Sequence, residues 1–302
     1  MKKVIQFGLL LIVLFTVIFY HSTIVNYIVD YFFFSEGVTI DSGNEYTLNY
    51  DYVYVQQTDN FYAKSKQHLY NIIYTGLNNG NDSFYFFCDY DECINDVNKL
   101  NIDNLFLYIN SFVHPFNGYH KLYLNITDYK KITITIEKTY SEESIKKINK
   151  KIDEITAQII TNNMTLTEKI KTFHDYIINN TKYDSDYILN NLNDPESTSH
   201  NALGPLFYSK SLCGGYTDVM AIFLNRLNIP NYRITSELHT WNLVYIDNNW
   251  LHLDLTWDDP VTYNKQDMLL DKFFLINTST LKSYNTDYHD FNPNIYVEAN
   301  YN

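Results

Sequence analysis

Three residue types that together perform acyl transfer occur in one stretch of the chain, each beside a structural boundary. Cys213 lies in Ser211-Leu212-Cys213-Gly214-Gly215-Tyr216, His239 opens His239-Thr240-Trp241-Asn242, and Asp254 sits inside Trp250-Leu251-His252-Leu253-Asp254-Leu255-Thr256-Trp257-Asp258-Asp259-Pro260. A thiol attacks a carbonyl only as the thiolate, and two devices generate one: the positive end of a helix and a paired imidazolium. An imidazole does this best when a carboxylate fixes its tautomer.

The elements that must position these groups are legible nearby. Val219, Ile222, Phe223 and Leu227 recur at helical spacing, so Tyr216 to Leu227 is predicted as a helix with Cys213 at its N-terminus. Free N–H groups there would lower the thiol pKa and could hold an oxyanion. Gly214 and Gly215 permit a sharp entry and close approach of another backbone. Tyr232 to Glu237, Trp241 to Ile246 and a segment from Trp250 read as three strands, the last two joined at Asp247-Asn248-Asn249. A two-residue turn at Asp247-Asn248 pairs Ile246 with Asn249 and makes His239 and Asp254 diagonal neighbours on one face. Sliding the turn by one residue keeps them on one face but farther apart.

With these residues in place, the chain resembles the transglutaminase-like superfamily, papain-like in its core. The family pattern of Cys-x-Gly-Tyr, His-x-Trp-Asn and Trp-x-x-x-Asp-x-Thr-Trp-Asp is matched by Cys213 to Tyr216, His239 to Asn242 and Trp250 to Asp258. The resemblance covers about residues 165–260, and Ser199-His200-Asn201-Ala202-Leu203-Gly204-Pro205-Leu206 is similar to a segment preceding the Cys in bacterial members. It implies Cys213 as nucleophile, His239 as general base and acid, and Asp254 as orienter. Crosslinking members carry a Trp upstream of the Cys that completes the oxyanion hole; here the first tryptophan is Trp241. That departure weighs against protein crosslinking rather than against thiol chemistry. Trp241, His200 and Tyr216 are candidate substrate-binding residues. Trp241 and Trp257 could equally be buried packing residues, and His200 could simply cap a helix from Asn201.

The 302 residues suffice for an N-terminal segment and about two domains. A net charge of −13 without a basic patch argues against a nucleic-acid partner. Lys2-Lys3 precede an uncharged apolar run from Val4 to Tyr20 without a small-residue cleavage pattern. Residues 1–37 are therefore expected to be an uncleaved membrane anchor in preference to a cleaved signal, with the remainder outside the cytoplasm. Residues 38–140 read as a small α+β accessory domain. It has strands at Tyr46–Val55, Phe84–Phe87 and a Lys121–Ile126/Lys131–Glu137 hairpin, and a helix over Ala63–Tyr74. Its role is either to present substrate or contact the wall, or to act as a spacer. Cys88 and Cys93 fit a local disulfide, leaving Cys213 free. Their intervening acidic residues match no calcium loop.

Residues 141–302 are assigned to the transglutaminase-like domain. Ile145, Ile148, Ile152, Ile155 and Ile159 form one stripe of a helix over Ser141–Ile160. Thr165-Leu166-Thr167-Glu168 fits a capping box opening a second helix, whose His174 and Asp175 read as structural. A last strand is expected at Lys272–Ile276, and the tail to Asn302 carries no recognisable signal. The whole is an α+β protein expected to perform Cys-dependent acyl transfer on peptide or carboxamide bonds at the cell surface, without a cofactor or metal. Water as acceptor gives a protease or deamidase, an amine gives a transglutaminase. The alternative is a non-catalytic surface module that binds peptide or cell-wall ligands in the same groove.

Overall fold

The computed structural model describes residues 18–21, 42–50, 52–127, 130–190, 194, 197–260, 270–284 and 287–300. The expected anchor over residues 1–37 lies outside them apart from 18–21. No helix among the described residues is long and apolar enough to cross a membrane.

The N-terminal part is a four-stranded sheet backed by helices. Strands β1 (Tyr62–Ala63), β2 (Ser83–Cys88), β3 (Tyr119–Ile126) and β4 (Lys131–Lys138) are ordered β1-β2-β4-β3, with β1 parallel to β2 and the other pairs antiparallel. Ile132, Ile134 and Ile136 of β4 point to the core in strict alternation. Helix α1 (Lys66–Asn78) packs on this sheet, capped by Ser65 Oγ, which accepts from His68 N at 3.2 Å. Two short helices, α2 (Cys93–Lys99) and α3 (Leu105–Asn110), were not foreseen; neither is long enough to show a periodic stripe. Cys88 and Cys93 form a disulfide that ties the end of β2 to the start of α2, with Cα atoms 5.5 Å apart.

The strand expected at Tyr46–Val55 is absent from its described residues. Leu48 instead exchanges both backbone hydrogen bonds with the Asn78 side-chain amide, at 3.0 and 2.8 Å. A side chain thus replaces the neighbouring strand, and Tyr52 and Val55 turn into the core.

Helix α4 (Glu142–Ile159) starts at the Ser141 cap, and its Ile148, Ile152 and Ile155 are buried. Helix α5 (Leu166–Asn180) opens with the complete Thr165/Glu168 capping box. Strand β5 (Lys182–Tyr183) leads to short helix α6 (Ser185–Leu189), and β6 (Lys210–Ser211) pairs parallel with β5 immediately before α7 (Cys213–Arg226). Ten of the residues of α7 are buried, consistent with apolar positions all round rather than in a single stripe. It lies against the antiparallel sheet β7 (Asn231–Thr235), β8 (Thr240–Ile246) and β9 (Asn249–Leu253).

The β8–β9 register pairs Ile246 with Asn249, and Asp247 and Asn248 take positive φ of 50° and 64°. Asp and Asn tolerate that conformation, which matches the twist of a two-residue hairpin. Both faces of this sheet are covered. Val244, Ile246, Leu251 and Leu253 join the core of α4, α5 and α7. Tyr232, Ile234, Trp241 and Leu243 join a core shared with α1, β2, β4 and the C-terminal residues Phe291, Ile295 and Tyr296. Position 140 therefore separates stretches of sequence but not two apolar cores.

After β9 come a one-turn helix, α8 (Leu255–Asp258), and helix α9 (Thr278–Ser283). The strand expected at Lys272–Ile276 reduces to a bridge between Ile276 and His252, because Leu275 has a φ of 50° and breaks the extended run.

Candidate active site

Cys213 is the first residue of α7, preceded by Leu212, whose side chain offers no cap. The 3-10 turn Thr198–His200 presses on this helix start: a Cβ at Gly215 would lie 2.4 Å from Ser211 Oγ and 2.8 Å from Ser199 O. Glycine is therefore required there by close approach of backbone. Gly215 N and Tyr216 N donate to Leu212 O, at 3.1 and 3.3 Å. Among the described residues no acceptor engages the N–H groups of Cys213 and Gly214. Two donors thus remain at the positive end of a 14-residue helix, beside the thiol.

Helix and sheet are braced directly at this point. Thr217 Oγ1 lies 2.8 Å from Cys213 O and 3.0 Å from Thr240 O, and Asn242 Nδ2 donates to Thr217 O at 3.0 Å. His239, next to Thr240, is held by Ser236, whose Oγ accepts from His239 N at 3.1 Å and donates to Tyr288 O at 2.7 Å. The geometry brings Cys213, His239 and Asp254 together. His239 Nε2–H donates to Asp254 Oδ2 at 2.6 Å, and the Cys213 side chain is near enough to the same imidazole to help raise its pKa. With Nε2 committed to the carboxylate, Nδ1 is the nitrogen left for the thiol.

The electrostatics follow from burial and pairing. Burial alone would push His239 down; the charge of Asp254, its hydrogen bond and then Cys213 outweigh it and raise the imidazole to about 10. Burial alone would push Asp254 up, but the charge and hydrogen bond of His239, followed by those of His289, hold it well below the usual carboxylate range. Asp254 Oδ1 also accepts from Thr256 N at 2.9 Å and Trp257 N at 3.3 Å.

His289 was missed by sequence reasoning. It is 4% exposed and its Nε2–H donates to Asp254 Oδ2 at 2.8 Å, from a segment 35 residues downstream. Local pattern carries no signal for it; only the fold brings it to the site. His239, Asp254 and His289 offer donor atoms within 4.8 Å of one another, a spacing some metal sites also show. The 2.6 and 2.8 Å separations to one shared oxygen are those of charge-assisted hydrogen bonds.

The three residues considered for substrate contact are placed differently. Trp241 is 1% exposed, stacks on His239 at 5.6 Å and 13°, and donates from Nε1 to His252 Nδ1 at 3.0 Å. It supports the imidazole from behind and does not line a cleft. Tyr216 is also 1% exposed; its hydroxyl donates to Asp259 and locks α7 to the turn after α8. For Trp241 the structure favours the packing alternative, because that face of the sheet is covered, and Tyr216 is buried in the core of α7 and not exposed to a substrate. His200 is exposed and does line a cavity of about 420 Å³ together with Gly214 and Thr240. Leu107, Tyr119 and Glu137 of the N-terminal sheet and its helices form the opposite wall.

His174 is fully buried, as expected of a structural residue. Its ring nitrogens lie 2.8 Å from Asp175 Oδ1 and 3.2 Å from Asp258 Oδ2, and Asp258 Oδ1 accepts from Phe273 N at 2.9 Å. This second imidazole–carboxylate cluster fastens α5 to α8.

Residues 153–255 match the model of the transglutaminase-like superfamily, a span that includes Cys213, His239 and Asp254. Among solved structures, one described as a TGase is 19% identical with a TM-score of 0.33, covering 58% of this chain and 51% of that one. A proposed cysteine protease from Cytophaga hutchinsonii is 13% identical with a TM-score of 0.28, covering 45% of this chain and 61% of that one. The chain thus spans about half to three fifths of the length of these structures. No curated protein matches the sequence. Over residues 153–255 the chain is thus similar to the transglutaminase-like superfamily.

Proposed function

We propose that the protein is a thiol-dependent acyl-transfer enzyme acting on peptide or carboxamide bonds, with Cys213 as nucleophile, His239 as proton carrier and Asp254 as its orienting carboxylate. The observation that carries this reading is the 2.6 Å His239–Asp254 hydrogen bond beside Cys213 at the start of α7, where among the described residues two N–H groups are unengaged.

In this reaction the Cys213 thiolate attacks the carbonyl carbon, and the negative charge moves to the carbonyl oxygen. In this reading the N–H groups of Cys213 and Gly214, for which no acceptor is seen among the described residues, hold it. His239 passes its proton to the leaving nitrogen, the C–N bond breaks and a thioester remains. Water or an amine then attacks the thioester, gives its proton to His239, and expels the thiolate. We favour water, because Trp241, Trp250 and Trp257 all follow Cys213 and none stands at the upstream position used by crosslinking relatives.

The cavity between His200, Gly214 and Thr240 and the wall of Leu107, Tyr119 and Glu137 supports a role for the N-terminal unit in holding substrate. Exposed Leu238 and Tyr288 flank His239 and favour a substrate with apolar side chains. An extracytoplasmic location belongs to the same proposal and is supported by the Cys88–Cys93 disulfide.

The test is the rate of Cys213 alkylation against pH, with Cys213→Ala as blank. Cys213 is the free cysteine, so labelling is specific. A plateau of fast labelling extending well below pH 8 is expected. A rate that simply climbs through the ordinary thiol range of about 8–9 would overturn the enzyme reading and favour the ligand-binding module.

A further inference from the structure

Asp254 is shared by two histidines, although a thiol–imidazole–carboxylate site requires one. His239 and His289 both donate from Nε2 to Asp254 Oδ2, at 2.6 and 2.8 Å, and all three side chains are nearly inaccessible to water. His289 reaches the carboxylate from the 3-10 turn Asp287–His289. Its ring is held among aromatic neighbours: Phe273 stacks on it at 5.2 Å and 20°, and Trp241 and Trp257 each lie 5.0 Å away. Its ring lies 5.3 Å from that of His239 at 90°. The titratable groups around it are Asp254, which caps α8, His239, which precedes β8, and His252 of β9, with Asp287 and Asp290 on its own segment; Lys282 of α9 acts on His252. Lys282 is paired with Glu298 at 2.7 Å.

We propose that His289 is a positioning residue that acts through Asp254 on His239, supporting Asp254 as a buried anion so that His239 can release its proton. This inference rests on the reading of Cys213 and His239 given above. When His239 gives up its proton, Asp254 is left without its counter-charge in a dry site. Its Oδ1 still accepts from Thr256 N and Trp257 N, and its Oδ2 still accepts from His289. Without His289 the deprotonated state loses one of these donors, and the imidazolium persists to higher pH. An imidazolium held too tightly is a poor acid toward a leaving amine. His289 therefore tempers the strong pull of Asp254 that raises His239 to about 10.

The test reads His239 directly, by nitrogen-15 NMR titration of histidine-labelled full-length chain in a Cys213→Ser background. His289→Phe keeps the ring volume without the donor, and His289→Gln places an amide N–H near the position of Nε2. The expected result is a His239 midpoint at least about half a pH unit higher in His289→Phe, with His289→Gln close to the unsubstituted background. His289→Asn, whose amide is too short to reach Asp254, replaces the Phe variant if that variant does not fold. An unchanged or lower midpoint in the donor-less variant, or a Gln variant behaving like it, overturns the proposal. A histidine that merely fills the core would change thermal stability and leave the midpoint in place. Because the thiol is absent from this background, the result stands apart from the alkylation profile, which alone reports on the Cys213 reading.

Discussion

Replacing Asp254 by Asn tests the site at its centre. The two side chains are almost the same size, and Asn Oδ1 can keep accepting from Thr256 N and Trp257 N. The other end of the side chain is where the change falls. An Nδ2 amide in the place of Oδ2 would meet two imidazole Nε2–H groups, donor against donor. His239 relieves this by moving its proton to Nδ1 and accepting from the amide, which leaves the wrong tautomer facing Cys213. Asp254 and Cys213 together take His239 from 6.5 to about 10 against the opposing effect of burial. At ~1.4 kcal/mol per unit, that corresponds to roughly 5 kcal/mol on the imidazolium. Without the carboxylate the imidazolium no longer forms near neutrality, and the thiolate of the proposed mechanism loses its partner. At pH 6.5 a thiol titrating near 8.5 is about 1% ionised, so alkylation is expected to fall about 100-fold, with the helix end recovering a small part. The assay is iodoacetamide labelling of Cys213 from pH 5 to 10, with the variant and wild type converging above pH 9. The same substitution should also flatten part of the stability curve. A raised histidine contributes stability that is complete below about 6.5 and is lost as pH rises toward about 10. Thermal melts of the variant should lose that decline. A variant that keeps wild-type labelling at pH 6.5 would refute the assignment of Asp254 as the carboxylate supporting His239.

Other expectations follow from the same structure. His114 and His252 are buried and lowered to about 3, chiefly by burial, so the unfolded chain takes up protons there first. Stability should be lost as pH falls from about 6.5 toward 3, and melts of His114→Phe should show a shallower acid slope. Trp241→Phe removes the 3.0 Å hydrogen bond to His252 Nδ1 and leaves a buried acceptor unpaired, at a cost of about 1–3 kcal/mol measured by urea unfolding. Gly215→Ala places a Cβ against Ser211 Oγ and the backbone oxygens of Ser199 and Asn201, and should destabilise by about 1–3 kcal/mol in the same assay. Reducing the Cys88–Cys93 disulfide opens a loop with a sequence separation of 5 and should cost about 2 kcal/mol on the chain-entropy estimate.

The sequence by itself determined what depends on local order. Thr165 and Glu168 announced the start of α5 by chemistry confined to four residues, and the isoleucine stripe announced α4 through its 3.6-residue period. The Asp247-Asn248 turn carried the register that brings the strand following His239 beside the strand leading to Asp254, because a two-residue hairpin leaves no freedom in pairing. The His239–Asp254 contact was therefore legible from local order.

Tertiary structure alone decided what depends on which surfaces meet. Trp241 and Tyr216 stand in the same motifs as the reactive residues, yet both are buried, Trp241 under the covered face of its sheet and Tyr216 where α7 packs into the core. The N-terminal unit shares its core with that sheet and contributes a wall of the cavity, which no composition shift between the two stretches could announce. The tail after β9 lacks a periodic pattern, yet it delivers His289 to Asp254 and buries Phe291 and Tyr296. Periodicity records how a segment meets its immediate neighbours. A contact between residues 35 apart in the sequence is selected only by the packing of the whole, and that is where the second histidine of this site comes from.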